Sequence, residues 1–173
     1  MRRFIFVEDT YGVDFHKELI NKISSHGVTV KIDDVRRLPA KECNPAILRK
    51  IKAALLDTYP IRAKVVIVVD SECESATSVK QKILRHFKKA EGIDVRIIVV
   101  EPRHEAWLCI GLGYNRRKCR SIPDDIIARE KHLKAYDKQY LARFARHINL
   151  NYLYKEEDFK NYVDALKWIS TDP

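Results

Sequence analysis

An acidic segment directly after an apolar run is the most informative feature of this sequence. Residues 64–74, KVVIVVDSECE, begin with an almost unbroken β-branched run and turn acidic at Asp70, Glu72 and Glu74. A run without polar alternation is typical of a strand that is buried on both faces of a parallel sheet. Ligand sites of open α/β sheets lie beyond the carboxyl ends of the strands. These carboxylates are therefore expected where substrate or metal-ion chemistry usually occurs.

Three other apolar segments also run into acids. They are residues 2–7 before Glu8, residues 28–32 before the less favourable pair Asp33 and Asp34, and residues 95–100 before Glu101. Carboxylates gathered at one sheet edge repel one another unless a cation lies among them. Oxygen-only ligands favour Mg²⁺ or Mn²⁺, which polarise phosphoryl oxygens and activate water. The alternative is that the acids are solvated or cap the following helices; for a set on one edge we favour the metal.

The apolar periodicity supplies the elements that would position these acids. Helical spacing is present at residues 13–25, at residues 46–59, and from Ser75 or Thr77 to residue 90. Helices between successive strands require parallel pairing and right-handed connections. The sequence therefore predicts an α/β fold with a small, four-stranded, mainly parallel sheet flanked by helices.

The chain changes character after Glu101. We expect a short helix at residues 103–110, followed by a turn and a basic loop to residue 120. Residues 124–136 and 137–148 are expected to form two helices or one bent helix, and residues 156–169 a last helix. No further strand is expected. We therefore divide the chain into an α/β core at residues 1–110 and a helical C-terminal extension at residues 111–173 that packs on the core.

Composition and charge limit the classes of partner. The chain has 173 residues, 33% of them charged, and a net charge of +9, which favours an anionic partner, nucleic acid first. The alternative is a solvated basic surface, which is common among thermophile proteins. The abundant charge favours a thermophilic source. No apolar run approaches a membrane span, so we expect no membrane association and a cytoplasmic location. The scattered cysteines, Cys43, Cys73, Cys109 and Cys119, predict structural thiols rather than a zinc site or disulfides.

The densest basic cluster lies in the predicted loop before residue 121. It consists of Arg116, Arg117, Lys118 and Arg120. These side chains could bind the phosphates of a nucleic-acid backbone, or they could form a solvated loop. Tyrosines interleave with basic residues further along the chain; stacking on single-stranded bases is one interpretation, but their helical spacing favours core packing.

Two of these acidic motifs resemble the Toprim domain, the catalytic domain named for topoisomerases and primases. Glu8, within FIFVEDTYGVDF, is similar to the glutamate after its first strand, and Asp70-Ser71-Glu72 is similar to its Asp-x-Asp pair. The segment from Glu101 to Leu108 is similar to the Pro-x-x-Glu-x-Trp-Leu segment of overcoming-lysogenisation-defect nucleases. The match departs from the family at Asp9, where glycine is common, and at Glu72, which replaces aspartate.

The resemblance implies a magnesium-dependent nuclease or nucleotidyl-transfer enzyme acting on DNA or RNA. Asp70 and Glu72 would bind the ion, Glu101 or Glu105 would complete its coordination, and Glu8 would be a general acid or base or a second ligand. The open alternative is a non-catalytic nucleic-acid-binding or assembly module with a degenerate site, acting as a homodimer or within a larger assembly. A related acid-lined nuclease sheet of PIN type would use the same metal chemistry.

A third possibility, a phosphatase-like or receiver-like domain with Asp70 as nucleophile, lacks the lysine that such domains need. His104 precedes Glu105 at the start of a predicted helix. It could relay a proton, but a histidine at that position is more often exposed to solvent.

Overall fold

The computed structural model describes residues 1–41, 44–55, 62–88 and 90–172, and a parallel sheet forms its centre. The strands are β1 (Arg2–Val7), β2 (Asp34–Arg37), β3 (Ala63–Asp70) and β4 (Ile93–Val100). They lie in the order β2-β1-β3-β4, and every neighbouring pair is parallel. The predicted α/β fold, with a small parallel sheet and a helical C-terminal region, is confirmed.

Helices surround this sheet. In the described residues they are α1 (Thr10–Ser25), α2 (Ile47–Ala54), α3 (Ala76–Phe87), α4 (His104–Gly111), α5 (Arg116–Cys119), α6 (Pro123–Glu130), α7 (Gln139–Ala145), α8 (Leu150–Leu153) and α9 (Glu157–Ser170). None of them is long and apolar enough to cross a membrane. Ser75 caps α3 by accepting a hydrogen bond from the backbone of Ser78, and the end predicted for α2 at residue 59 lies outside the described residues.

The alternation of β3 side chains builds two apolar layers. Val66 and Val68 point into a cluster shared with α1 and the C-terminal helices. Val65 and Ile67 point to the other face, into a cluster shared with α2 and α3. All four side chains are fully buried, which explains why this strand contains no polar alternation. The C-terminal helices therefore complete one face of the sheet core.

The second predicted strand is wrong in position. Residues 28–32 do not join the sheet, and pairing begins at Asp34, which lies opposite Phe4 of β1. Because β2 is an edge strand, polar side chains suit it, and the Arg36 guanidinium lies 4.5 Å from the centre of the Phe4 ring. Asp33 and Asp34 therefore lie at the amino end of a strand, not at the carboxyl end where the other acids were expected.

The expectation of free thiols is wrong for two cysteines. Cys109 in α4 and Cys119 in α5 form a disulfide, with their Cα atoms 5.5 Å apart. The turn between the two helices brings these residues together, and no sequence motif signals such a contact. Cys73 is free and exposed, whereas Cys43 lies outside the described residues.

Candidate active site

The strand order places a topological switch between β1 and β3. From β1 the chain crosses to β2 on one side, and from β3 it crosses to β4 on the other side, which opens a crevice beyond the carboxyl ends of the two central strands. Glu8 follows β1 and Asp70 ends β3. The backbone N–H of Asp70 donates a hydrogen bond to Glu8 Oε2 at 3.0 Å. The two acids predicted to meet at this edge do so.

Asp70 is held by the first residue of α4. Its Oδ1 atom accepts hydrogen bonds from the backbone N–H of His104 at 2.9 Å and from His104 Nδ1 at 2.5 Å. The N-terminus of α4 carries partial positive charge, which also favours a carboxylate there. His104 is only 4% exposed, so the expectation that it faces solvent is wrong. It fixes the orientation of Asp70.

A chain of buried polar groups continues from His104 into the protein. His104 Nε2 lies 2.8 Å from His16 Nε2, and His16 Nδ1 lies 2.8 Å from the hydroxyl of Tyr162. Burial lowers the pKa of His16 well below its ordinary value, and the neighbouring His104 lowers it further. Burial opposes the charged form of His104, but Asp70, with Glu105 and Glu8, outweighs burial and raises the pKa of His104.

Glu105 adds a second buried acid. Burial raises the pKa of Glu105, and the charges of Asp70 and Asp124 raise it further. The hydroxyl of Tyr136 donates a hydrogen bond to Glu105 Oε1 at 3.2 Å. A carboxyl group whose pKa is raised in this way can hold a proton nearer neutral pH than an exposed acid.

Asp9 and Lys138 form an ion pair on the rim of the same pocket. Asp9 caps α1 through a 2.7 Å hydrogen bond from the backbone of Gly12, and Asp9 Oδ2 accepts one at 3.0 Å from Lys138 Nζ. Burial opposes the charge on Asp9, but the hydrogen bonds from Gly12 and Lys138 prevail and lower its pKa. Burial similarly opposes the charge on Lys138, but Asp9, Glu105 and Asp70 raise its pKa.

One small pocket joins these groups. The polar residues lining it are Glu8, Asp9, Asp70, His104, Glu105 and Lys138. Two of the expected ligands lie elsewhere. Glu72 is exposed and sits at a positive φ of 51° in the turn after β3, and Glu101 is exposed and lines a separate groove.

The donor set has the right chemistry for a hard cation. Glu8, Asp70 and Glu105 offer carboxylate oxygens, as magnesium prefers. Within the described residues, however, no group of three or more histidine, cysteine or acidic side chains is placed to hold an ion as it stands. Asp70 Oδ1 is engaged by His104, and Lys138 brings an ammonium group to the acids. An ion would require side-chain rearrangement.

The predicted basic loop is a short helix, α5, and its side chains differ in their surroundings. Arg120 donates hydrogen bonds to Glu156 and Asp158, with its Nη2 atom 2.6 Å from Glu156 Oε2 and 2.8 Å from Asp158 Oδ1. Arg116 also bonds to Glu156. Burial opposes the charge on Arg120, but the two carboxylates outweigh it and raise its pKa. Arg120 is therefore part of a structural ion-pair network rather than a free phosphate ligand.

The remaining basic side chains of this cluster are better placed for an external partner. Arg117 and Lys118 are exposed on α5. The side chain of Arg116 is 67% exposed despite its bond to Glu156. These three residues, without Arg120, form the exposed basic surface of α5.

Sequence reasoning missed His16, Tyr162 and Lys138. His16 lies on the buried face of α1 beside Phe15, and a histidine among apolar residues is the one signal that could have indicated a buried polar contact. Lys138 belongs to a highly charged segment, where nothing distinguishes it from its neighbours. Comparisons of the chain with protein-family models, with curated proteins and with solved structures found no match.

Proposed function

We propose that this protein is a phosphodiester-cleaving or nucleotidyl-transfer enzyme that acts on nucleic acid with Mg²⁺ or Mn²⁺. One observation carries the proposal: Glu8, Asp70 and Glu105 line a single pocket at the switch between β1 and β3. The edge position is the usual ligand site of such sheets, and the donor set suits a hard cation.

Each residue has a stated role in this proposal. Asp70 and Glu8 would hold the ion with Glu105, and the ion would supply charge neutralisation at a phosphoryl group. As an alternative to binding the ion, Glu8 would act as a general base, because it is partly exposed, unlike the buried Glu105, and can exchange protons with water. His104 is a positioning residue, since it orients Asp70 through two hydrogen bonds.

The net charge of +9 supports a polyanionic substrate. The exposed basic surface of α5 would contact phosphates. Arg120 would instead hold α5 against the start of α9 through Glu156 and Asp158. We propose DNA or RNA as the partner, a cytoplasmic location, and action as a homodimer or within an assembly. Intracellular disulfides are common in hyperthermophiles, so a cytoplasmic location together with the Cys109–Cys119 disulfide implies a thermophilic source for this chain.

A second candidate is a nucleic-acid-binding module without catalysis. Two observations favour it: the described residues contain no ready-made metal cluster, and Lys138 already lies against the acidic pocket through Asp9. This candidate predicts salt-sensitive binding that needs no divalent ion.

The test compares Asp70→Asn with Glu72→Gln, because only Asp70 lies in the pocket. We expect wild type and Glu72→Gln to cleave end-labelled single- or double-stranded DNA or RNA in magnesium. Asp70→Asn should lose activity by about 100-fold or more, with its fold checked by circular dichroism. Calorimetry on the same samples reports magnesium binding.

Cleavage that survives in Asp70→Asn, or that disappears equally in Glu72→Gln, would contradict the assignment of the pocket. Chelator-resistant binding of nucleic acid without cleavage by wild type would favour the second candidate.

A further inference from the structure

A separate groove runs along the outer edge of β4. Five consecutive strand residues, 95–99, line it together with residues of α3 and α9. Successive side chains of a strand point to opposite faces, so five in a row can line one groove only where the edge of the strand forms its floor. The groove is therefore a sheet edge with a helix on each side.

This edge lacks a strand partner among the described residues. β4 pairs with β3 on one side and is the last strand of the sheet on the other. Its outward N–H and C=O groups can pair with an added strand. The segment from Ile97 to Val99 is apolar and 4–7% exposed, and neither proline nor lysine, which commonly protect edge strands, occurs in residues 93–100.

The charge of the groove differs from that of the whole protein. Its acidic lining residues are Glu74, Glu101, Glu156, Glu157, Asp158 and Asp164. Its basic ones are Lys80, Arg96, Arg116 and Arg120, so the lining carries a formal charge of about −2, against +9 for the chain. Arg120 is bound by Glu156 and Asp158, and Arg96 packs on the ring of Trp168 at 4.6 Å. The exposed acids of the α9 wall are Glu157 and Asp164. Each forms a 3.4 Å ion pair with a lysine of α9, Lys160 or Lys167, that does not line the groove.

We propose that this groove binds an extended, basic peptide segment of a partner protein, which adds a fifth strand beside β4. The backbone edge supplies the hydrogen bonds, and the acidic wall of α9 selects basic side chains on the incoming strand. The proposal is independent of nuclease activity, since its lining residues are separate from those of the acidic pocket.

A second copy of this chain fits the edge less well. Antiparallel pairing of two β4 strands in one continuous sheet would place the α9 helices of both copies on the same face. Glu157 and Asp164 of each copy would then approach the same residues of the other. Such like charges across an interface disfavour association.

The test uses fluorescence anisotropy with labelled peptides of about eight residues, the length of an ordinary strand. The probe alternates lysine and valine; one control replaces lysine with glutamate, and another carries N-methyl groups on alternate backbone amides. We expect the Lys–Val peptide to bind, and both controls to bind at least about tenfold more weakly.

Protein variants locate the binding. The double variant Glu157→Lys/Asp164→Lys should weaken peptide binding about tenfold. The control is Asp14→Lys/Asp125→Lys, which makes the same charge change at exposed positions outside the groove. It should change peptide binding less than about twofold. Absence of binding, equal binding of the N-methylated peptide, or equal effects of the two double variants would overturn the proposal. Sedimentation provides one further test. A dimer that becomes more stable in Glu157→Lys/Asp164→Lys would also overturn the proposal, because it would assign the edge of β4 to a second copy of the chain.

Discussion

His16 and His104 face each other through their Nε2 atoms at 2.8 Å, although the residues are 88 positions apart in the chain. Only one of the two nitrogen atoms can donate in this contact, so the pair shares a single proton. The Nδ1 atom of His104 is hydrogen-bonded to Asp70, and the Nδ1 atom of His16 is hydrogen-bonded to the hydroxyl of Tyr162. The protonation state of the site is therefore tied to the packing of α1, α4 and α9.

The contribution of this pair to stability is expected to be greatest near the ordinary histidine pKa of about 6.5. The folded-state pKa of His16 is lowered, so its contribution is present above pH 6.5 and is lost as pH falls towards that lower value. The folded-state pKa of His104 is raised, so its contribution is present below pH 6.5 and is lost as pH rises through the folded value.

Thermal unfolding of wild type and His16→Gln from pH 4 to pH 9 measures this dependence. The range extends about two and a half pH units on either side of the ordinary histidine pKa. We expect the acid limb to flatten in His16→Gln. His132→Asn, at an exposed position, should keep the wild-type profile. An unchanged acid limb in His16→Gln would contradict the assignment.

Lys138→Met tests whether the ammonium group competes with a bound cation. The charge of Lys138 acts on Asp9, Glu105 and Asp70, so its removal makes the pocket more negative. We expect magnesium affinity, measured by calorimetry, to increase at least about threefold, a modest effect for a partly screened charge. Lys134→Met changes the same charge at an exposed nearby position and serves as the control. Weaker magnesium binding in Lys138→Met alone would show that Lys138 supports the site rather than competes for it.

Arg120 and Arg117 separate stability from nucleic-acid binding. Arg120→Met leaves the carboxylate of Glu156, 2% exposed in its side chain, without its main partner, and should lower the free energy of unfolding by about 3 kcal/mol. Arg117→Met, at an exposed position, should change it by less than about 0.5 kcal/mol but reduce the salt dependence of nucleic-acid binding. Urea denaturation and binding titrations across salt concentrations provide the two measurements. Equal stability losses would contradict the structural role of Arg120.

The disulfide between Cys109 and Cys119 should stabilise the C-terminal helices. It closes a loop between residues separated by 10 positions, which corresponds to about 2–3 kcal/mol of lost entropy in the unfolded chain. We expect Cys109→Ala/Cys119→Ala, or reductant, to lower the melting temperature, while Cys73→Ala, at the free and exposed cysteine, leaves it unchanged. Reductant should have no further effect on the double variant. Equal melting temperatures for wild type and the double variant would contradict this prediction.

The central strands could be predicted because burial on both faces requires an unbroken apolar run, which is easily recognised in the sequence. β3 is a β-branched run whose side chains all meet helices, and parallel pairing then brings Glu8 and Asp70 to one edge. The predicted position of the second strand is wrong because β2 is an edge strand, which pairs on one side only and tolerates polar residues, so its sequence has little apolar pattern.

The rest of the site depends on tertiary packing. His16 meets His104 only because α1 and α4 lie against the same face of the sheet, and Lys138 reaches Asp9 across 129 positions. Local periodicity contains no information about contacts at such separations. Glu72 shows the opposite case: it follows Asp70 by two positions, which suggests a shared ion, but the turn after β3 exposes its side chain.

Helix α9 has two faces that serve different parts of the protein. Tyr162 belongs to the buried polar chain that leads to Asp70, and Asp164 belongs to the wall of the β4 groove. Any displacement of this helix changes the free energy of both contacts. If a strand in the groove shifts α9, the affinity of the acidic pocket for its own ligand changes, and thermodynamic linkage requires the pocket ligand to change the affinity of the groove by the same factor.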